Sequence, residues 1–129
     1  MNRLMSLAYL TSHRCNVAQS FRVAHEAGYQ AVGLRLHPNA PGGPCQPLLG
    51  DAALLREALA VQRDTGMGVL DLEIIRIGEG FELHTWDALL AAGQALGARA
   101  VLVAGDDPVR SRLADHYAAL CEQIGRAHV

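Results

Sequence analysis

The chain has 129 residues, 50% of them hydrophobic, and 11 Lys and Arg against 13 Asp and Glu give a formal net charge of −2. That supports one domain with a real core. The scattered basic residues leave no stripe to offset nucleic-acid phosphates, and no apolar run approaches the roughly 20 residues that cross a bilayer. Neither a nucleic-acid nor a membrane partner is expected. Cys15, Cys45 and Cys121 are odd in number and lack a Cys-x-x-Cys spacing, so they read as reduced thiols of a cytoplasmic protein.

In chain order, a first strand is expected over Leu4–Leu10. Its apolar run is broken by Ser6 and followed by Thr-Ser-His-Arg, which suits a buried strand and not a cleaved signal. A helix follows over Val17–Ala27, with Asn16 as N-cap and Val17, Phe21, Ala24 and Ala27 on one face. Strand two is Ala31–Leu36. The stretch His37–Gly50 contains Pro38, Pro41, Gly42, Gly43, Pro44 and Pro47 and reads as a surface loop. Asp51 caps a helix to Thr65, with Leu54, Leu55, Ala58, Leu59 and Gln62 at helical spacing. Strand three is Val69–Ile77 and ends at Gly78-Glu-Gly80. Helix three runs Trp86–Leu96, strand four Ala100–Ala104, and the last helix takes Asp107 as N-cap with Pro108 in its first turn.

Three of these helices run into a glycine, Gly28, Gly66 and Gly97, and about four residues later a strand begins. Each glycine suits the left-handed position that closes a helix. The spacing between them is that of a βαβ step and not of a hairpin. The expected fold class is therefore α/β: four consecutive β/α units with a parallel sheet, the first half of a (β/α)8 TIM barrel, over residues 1–123. The last six residues, Ile124 to Val129, are what six codons of a common sequencing adapter encode in order. Positions 124–129 are therefore expected to be a non-native tail on a truncated reading frame.

The phrases Gly33-Leu-Arg-Leu-His-Pro38, Thr65-Gly-Met-Gly-Val-Leu-Asp-Leu-Glu-Ile-Ile-Arg-Ile77 and Leu96-Gly-Ala-Arg-Ala-Val-Leu-Val-Ala-Gly-Asp-Asp107 resemble the sugar phosphate isomerase/epimerase family of the xylose-isomerase-like TIM barrel superfamily. The resemblance covers residues 4 to 123 as the first four β/α units. It implies a divalent metal (Mn, Mg, Zn or Co) in the intact parent, held by carboxylates and a histidine. Proton transfer next to the carbonyl of a sugar or polyol-type substrate goes with it. The implied ligands come mainly from strands five to eight, so no metal ligand is assigned to this chain, and the fragment alone is expected to be inactive. The nuclease branch of the superfamily places histidines at the ends of early strands. Ile75-Arg-Ile77 and Ala104-Gly-Asp106 carry none.

Barrel strands send alternate side chains to the lumen and to the apolar helix layer, so parity sorts the polar residues. On strand three Asp71, Glu73 and Ile75 share a face, expected to be luminal, while Leu70, Leu72, Ile74 and Arg76 share the other. On strand two Gly33, Arg35 and His37 share the luminal face. Arg35 and Glu73 are expected to meet as an internal ion pair, which also makes them candidates to orient sugar hydroxyls. His37, at the rim before a proline, and Arg76, at the top of strand three, complete the candidate substrate-binding set. Asp106 and Asp107 resemble a metal pair, but helix capping accounts for Asp107, and Trp86 reads as a packing residue. His25-Glu26 lacks the second histidine of a zinc-protease motif, Tyr29 standing in its place.

Two other readings stay open: a small flavodoxin-like α/β binding module, and a half-barrel that closes as a homodimer. Cutting a barrel after four units leaves strands one and four with open edges, so self-association is expected.

Overall fold

In the computed structural model, which describes residues 3–127, Gly28, Gly66 and Gly97 all have positive φ, 87°, 69° and 68°, and each is followed within four residues by a strand. The elements are β1 (Ser6–Leu7), α1 (Val17–Glu26), β2 (Ala31–Arg35), α2 (Ala52–Thr65), β3 (Gly68–Ile77), α3 (Asp87–Leu96), β4 (Ala100–Gly105) and α4 (Arg110–Ala127). Short 3-10 turns lie at Tyr9–Thr11 and Leu83–Trp86. Asn16 and Gln19 form a reciprocal capping box at the start of α1, and Asp51 accepts the Leu54 N–H at the start of α2.

The sheet is parallel throughout, in the order β1-β2-β3-β4. Right-handed crossovers between strands that always advance in one direction place every helix on the same face. A doubly wound sheet needs a reversal of strand order, and these four strands have none. The helix-side core joins Val32, Leu34 and Leu36 of the second strand region to Leu72, Ile75 and Ile77 of β3. Phe21 and Ala24 of α1, Leu89 and Leu96 of α3 and Leu120 of α4 pack with them.

Three expectations need correction. The first strand ends at Leu7 because the chain turns there: Thr11 N–H donates to Ala8 O and Ser12 N–H to Tyr9 O, both at 3.0 Å, which brings Tyr9 inside at 1% exposure. The last helix begins at Arg110, so Asp107 is not its N-cap. Asp107 instead accepts the Val109 N–H at 2.8 Å and takes Arg112 Nε and Nη2 at 2.6 and 2.8 Å.

The third correction concerns parity on β3. Leu72 pairs with Val101 and Ile75 with Val103, so three steps on β3 match two on β4. This bulge, which contains the cis Glu73–Ile74 peptide, puts two successive residues on one side and reverses the alternation after it. Ile75 is therefore fully buried on the helix side, not luminal with Asp71 and Glu73. Ile74 and Arg76 move to the luminal side, opposite to the simple period-two expectation. A second register shift, between Val32 and Gly33, sets Gly33 against Asp71.

Candidate functional site

The polar side chains gather where β2 and β3 lie side by side. Register pairs Arg35 with Glu73, and the guanidinium donates through Nε (3.0 Å) and Nη2 (2.7 Å) to the same oxygen, Glu73 Oε2. The two side chains are only 11% and 15% exposed, so each neutralises a charge that would otherwise be costly in the interior. The Arg35 guanidinium also lies 4.5 Å over the ring of Tyr9, a cation–π contact. The Tyr9 hydroxyl is buried with no hydrogen-bond partner among the described residues.

Gln46 holds this pair from behind. Its Oε1 accepts the Arg35 N–H at 3.0 Å, and its own N–H donates to Arg35 O at 2.7 Å. Its amide nitrogen donates to Cys15 O and Ser20 Oγ. A loop glutamine at 1% exposure thus extends the β2 edge and ties it to α1. Sequence reasoning missed Gln46, because nothing in a Pro-rich loop marks one amide as an interior plug.

Asp71 lies deeper on the same face, with Oδ1 2.5 Å from where a β-carbon on Gly33 would sit. Burial raises its pKa above the ordinary carboxylate value, and the charge of Glu73 adds to the effect.

At the rim, His37 packs against Trp86 with ring centroids 4.5 Å apart and planes tilted by 58°. Its Nδ1 donates to the Pro38 carbonyl at 3.0 Å, which leaves Nε2 as the acceptor of the neutral ring. Trp86 is a packing residue, as its sequence context suggested, and it also walls a cleft of about 400 Å³ with His37, Pro38, Asn39, Pro41, Ile74 and Arg76. Arg76, with its side chain 43% exposed, is held by two partners. Nε donates to Asn39 O and Oδ1, both at 3.0 Å, Nη2 donates to Asn39 Oδ1 at 2.6 Å, and Nη1 pairs with Asp106 Oδ2.

The structure therefore brings Arg35 to Glu73, and His37 to the cleft that Arg76 borders. Asn39 went unrecognised because its role depends on Arg76 emerging on that side. Among the described residues no three His, Cys, Asp or Glu side chains converge as metal ligands, and Glu73, Asp106 and Asp107 are each occupied by an arginine. These residues do not fit a metal centre.

No protein family's model matches the chain, and no curated protein does. Solved structures do. A xylose isomerase domain containing protein from Salmonella typhimurium LT2 superposes with a TM-score of 0.74 at 16% identity, over 100% of this chain and 49% of its own. A xylose isomerase-like TIM barrel/4-hydroxyphenylpyruvate dioxygenase fusion protein gives 0.74 at 19% identity, over 98% of this chain and 21% of its own. The fold is that of four consecutive β/α units of a TIM barrel, half of such a barrel. An uncharacterised protein from Parabacteroides distasonis ATCC 8503 gives 0.63 at 13% identity, over 93% of this half-barrel and 49% of its own chain. The half-barrel thus spans about half the length, or less, of the structures it matches. No helix among the described residues is long and apolar enough to cross a membrane.

Proposed function

We propose that this half-barrel is part of an isomerase or epimerase that moves a proton next to the carbonyl of a sugar phosphate or related polyol-type substrate. In this reading the divalent metal is held mainly by strands five to eight, which this chain does not contain, and the chain alone is inactive. One observation carries the reading: a xylose isomerase domain containing protein superposes over 100% of this chain and 49% of its own. Barrel active sites lie at the C-terminal ends of the strands, where His37 and the cleft beside Trp86 sit. In this scheme the half-barrel binds and orients. Arg35, held by Glu73, presents a fixed guanidinium toward substrate hydroxyls, and His37 offers an acceptor nitrogen at the rim.

The test is to resequence the source locus through codon 123 and onward, express the whole chain, and follow exchange of substrate C–H for deuterium by NMR across a sugar and polyol panel. Exchange at the carbon next to one substrate's carbonyl is the expected result. A stop codon directly after Val129, or no exchange with any sugar or polyol, overturns the reading. The first of these outcomes would favour a second arrangement, in which two copies close one barrel. The observation behind it is that β1 and β4, at opposite ends of one parallel sheet, each have a single strand neighbour among the described residues.

A further inference from the structure

We infer that Arg76 is a positioning residue: it latches the His37–Pro41 wall of the cleft to the end of β4 and does not bind a substrate anion. The guanidinium donates from Nε and Nη2 to Asn39 and from Nη1 to Asp106, so three of its five N–H groups are taken by the chain itself and its charge is paired with a carboxylate. Both partners belong to the rim. Asp106 is fastened to β3 by its own N–H, which donates to Ile77 O at 2.9 Å. Asn39 sits in a segment with little else to hold it.

Pro38, Pro41 and Pro44 contribute no N–H, and within 37–45 the backbone makes one hydrogen bond to other backbone among the described residues, Gly43 N–H to Ala40 O, besides the Pro38 and Asn39 carbonyls that accept from the His37 ring and from Arg76. The Gln46 bonds to Arg35 anchor the far end of this segment, and the Arg76–Asn39 contacts anchor its middle. His37 and its tilted ring contact with Trp86 lie next to that anchor. Removing the latch therefore frees the wall that shapes the cleft, while the helix-side core is untouched. The reading needs no assumption about the reaction.

Trp86 is the chain's only tryptophan, so its fluorescence reports directly on this wall. The experiment compares acrylamide quenching of Trp86 and limited proteolysis within 38–45 for the native chain, Arg76→Met, Asn39→Leu and the conservative Asn39→Asp. Arg76→Met and Asn39→Leu are expected to raise both readouts on the order of fivefold, the shift in local opening that loss of an exposed ion-pair network produces. Their melting midpoints should stay near the native one. Asn39→Asp keeps its acceptor oxygens and should behave as native, and inorganic phosphate should leave native Trp86 emission unchanged. Unaltered quenching and cleavage in both disruptive variants overturn the latch, as does an Asn39→Asp chain that opens like Asn39→Leu. A saturable phosphate response that disappears in Arg76→Met overturns it in favour of an anion site.

Discussion

The carboxylate of Asp71 occupies the space in which a side chain on Gly33 would begin, with Oδ1 2.5 Å from the β-carbon position and the Tyr9 backbone nitrogen 3.7 Å from it. Gly33 is thus required for close approach. Gly33→Ala must push Asp71 aside within a half-buried strand pair and is expected to destabilise by about 1–3 kcal/mol. Denaturant unfolding of Gly33→Ala, Asp71→Ala and the double variant checks this. The double variant should be more stable than the sum of the two single effects predicts, and simple additivity would show that the two positions do not compete for space.

The Arg35–Glu73 pair makes a similar test of interior charge. Arg35→Met leaves Glu73 uncompensated at 15% side-chain exposure, and Glu73→Leu does the same to Arg35. Each single change should destabilise by about 3 kcal/mol, whereas the Met/Leu double variant should lie within about 1 kcal/mol of native. Urea titrations of the three variants decide, and equal losses in single and double variants would mean that the pair is a net stabiliser.

Two carboxylates should act oppositely as acid is added. Arg112 holds Asp107 at a pKa of about 2, below its ordinary value of 3.8. The unfolded chain therefore binds this proton first on acidification, so the Asp107 contribution is complete above about pH 4 and is lost as pH falls toward 2. Asp71 has a raised value, so its proton favours the folded state, and its charged form works against folding at neutral pH. Asp107→Asn should weaken the loss of stability below pH 4, and Asp71→Asn should stabilise at neutral pH. Unfolding midpoints between pH 2 and 7 measure both, and an Asp71→Asn variant less stable at pH 7 would refute the second.

Among the described residues β4 pairs on one side only, and Leu102 on its luminal face is 43% exposed. On the helix side of the same edge, Leu113, Ala114 and Tyr117 of α4 border an open groove with Ile77, Val103 and Arg110. The 129-residue chain should therefore self-associate with rising concentration in sedimentation velocity, and Leu102→Lys should reduce this. A concentration-independent monomer with a sharp cooperative melt would show that these edges are not adhesive.

Local chemistry made the frame of this protein readable from its residues alone. Gly28, Gly66 and Gly97 end their helices because a left-handed residue closes a helix cheaply only without a β-carbon, and Asn16 and Asp51 start theirs through short side chains that reach orphan N–H groups. The same reasoning placed Arg35 against Glu73, since a luminal charge on one strand calls for its opposite on the next. What depended on distant neighbours was not readable. Tyr9 turns inward beneath Arg35 and shortens β1, and Gln46 becomes an interior plug because β2 offers it both a donor and an acceptor. The bulge at Glu73–Ile74 is specified by how β3 and β4 register, and it alone decides that Ile75 enters the core while Arg76 reaches Asn39 and Asp106. Period-two alternation assumes an unbroken ladder, and only the assembled sheet determines where that ladder slips.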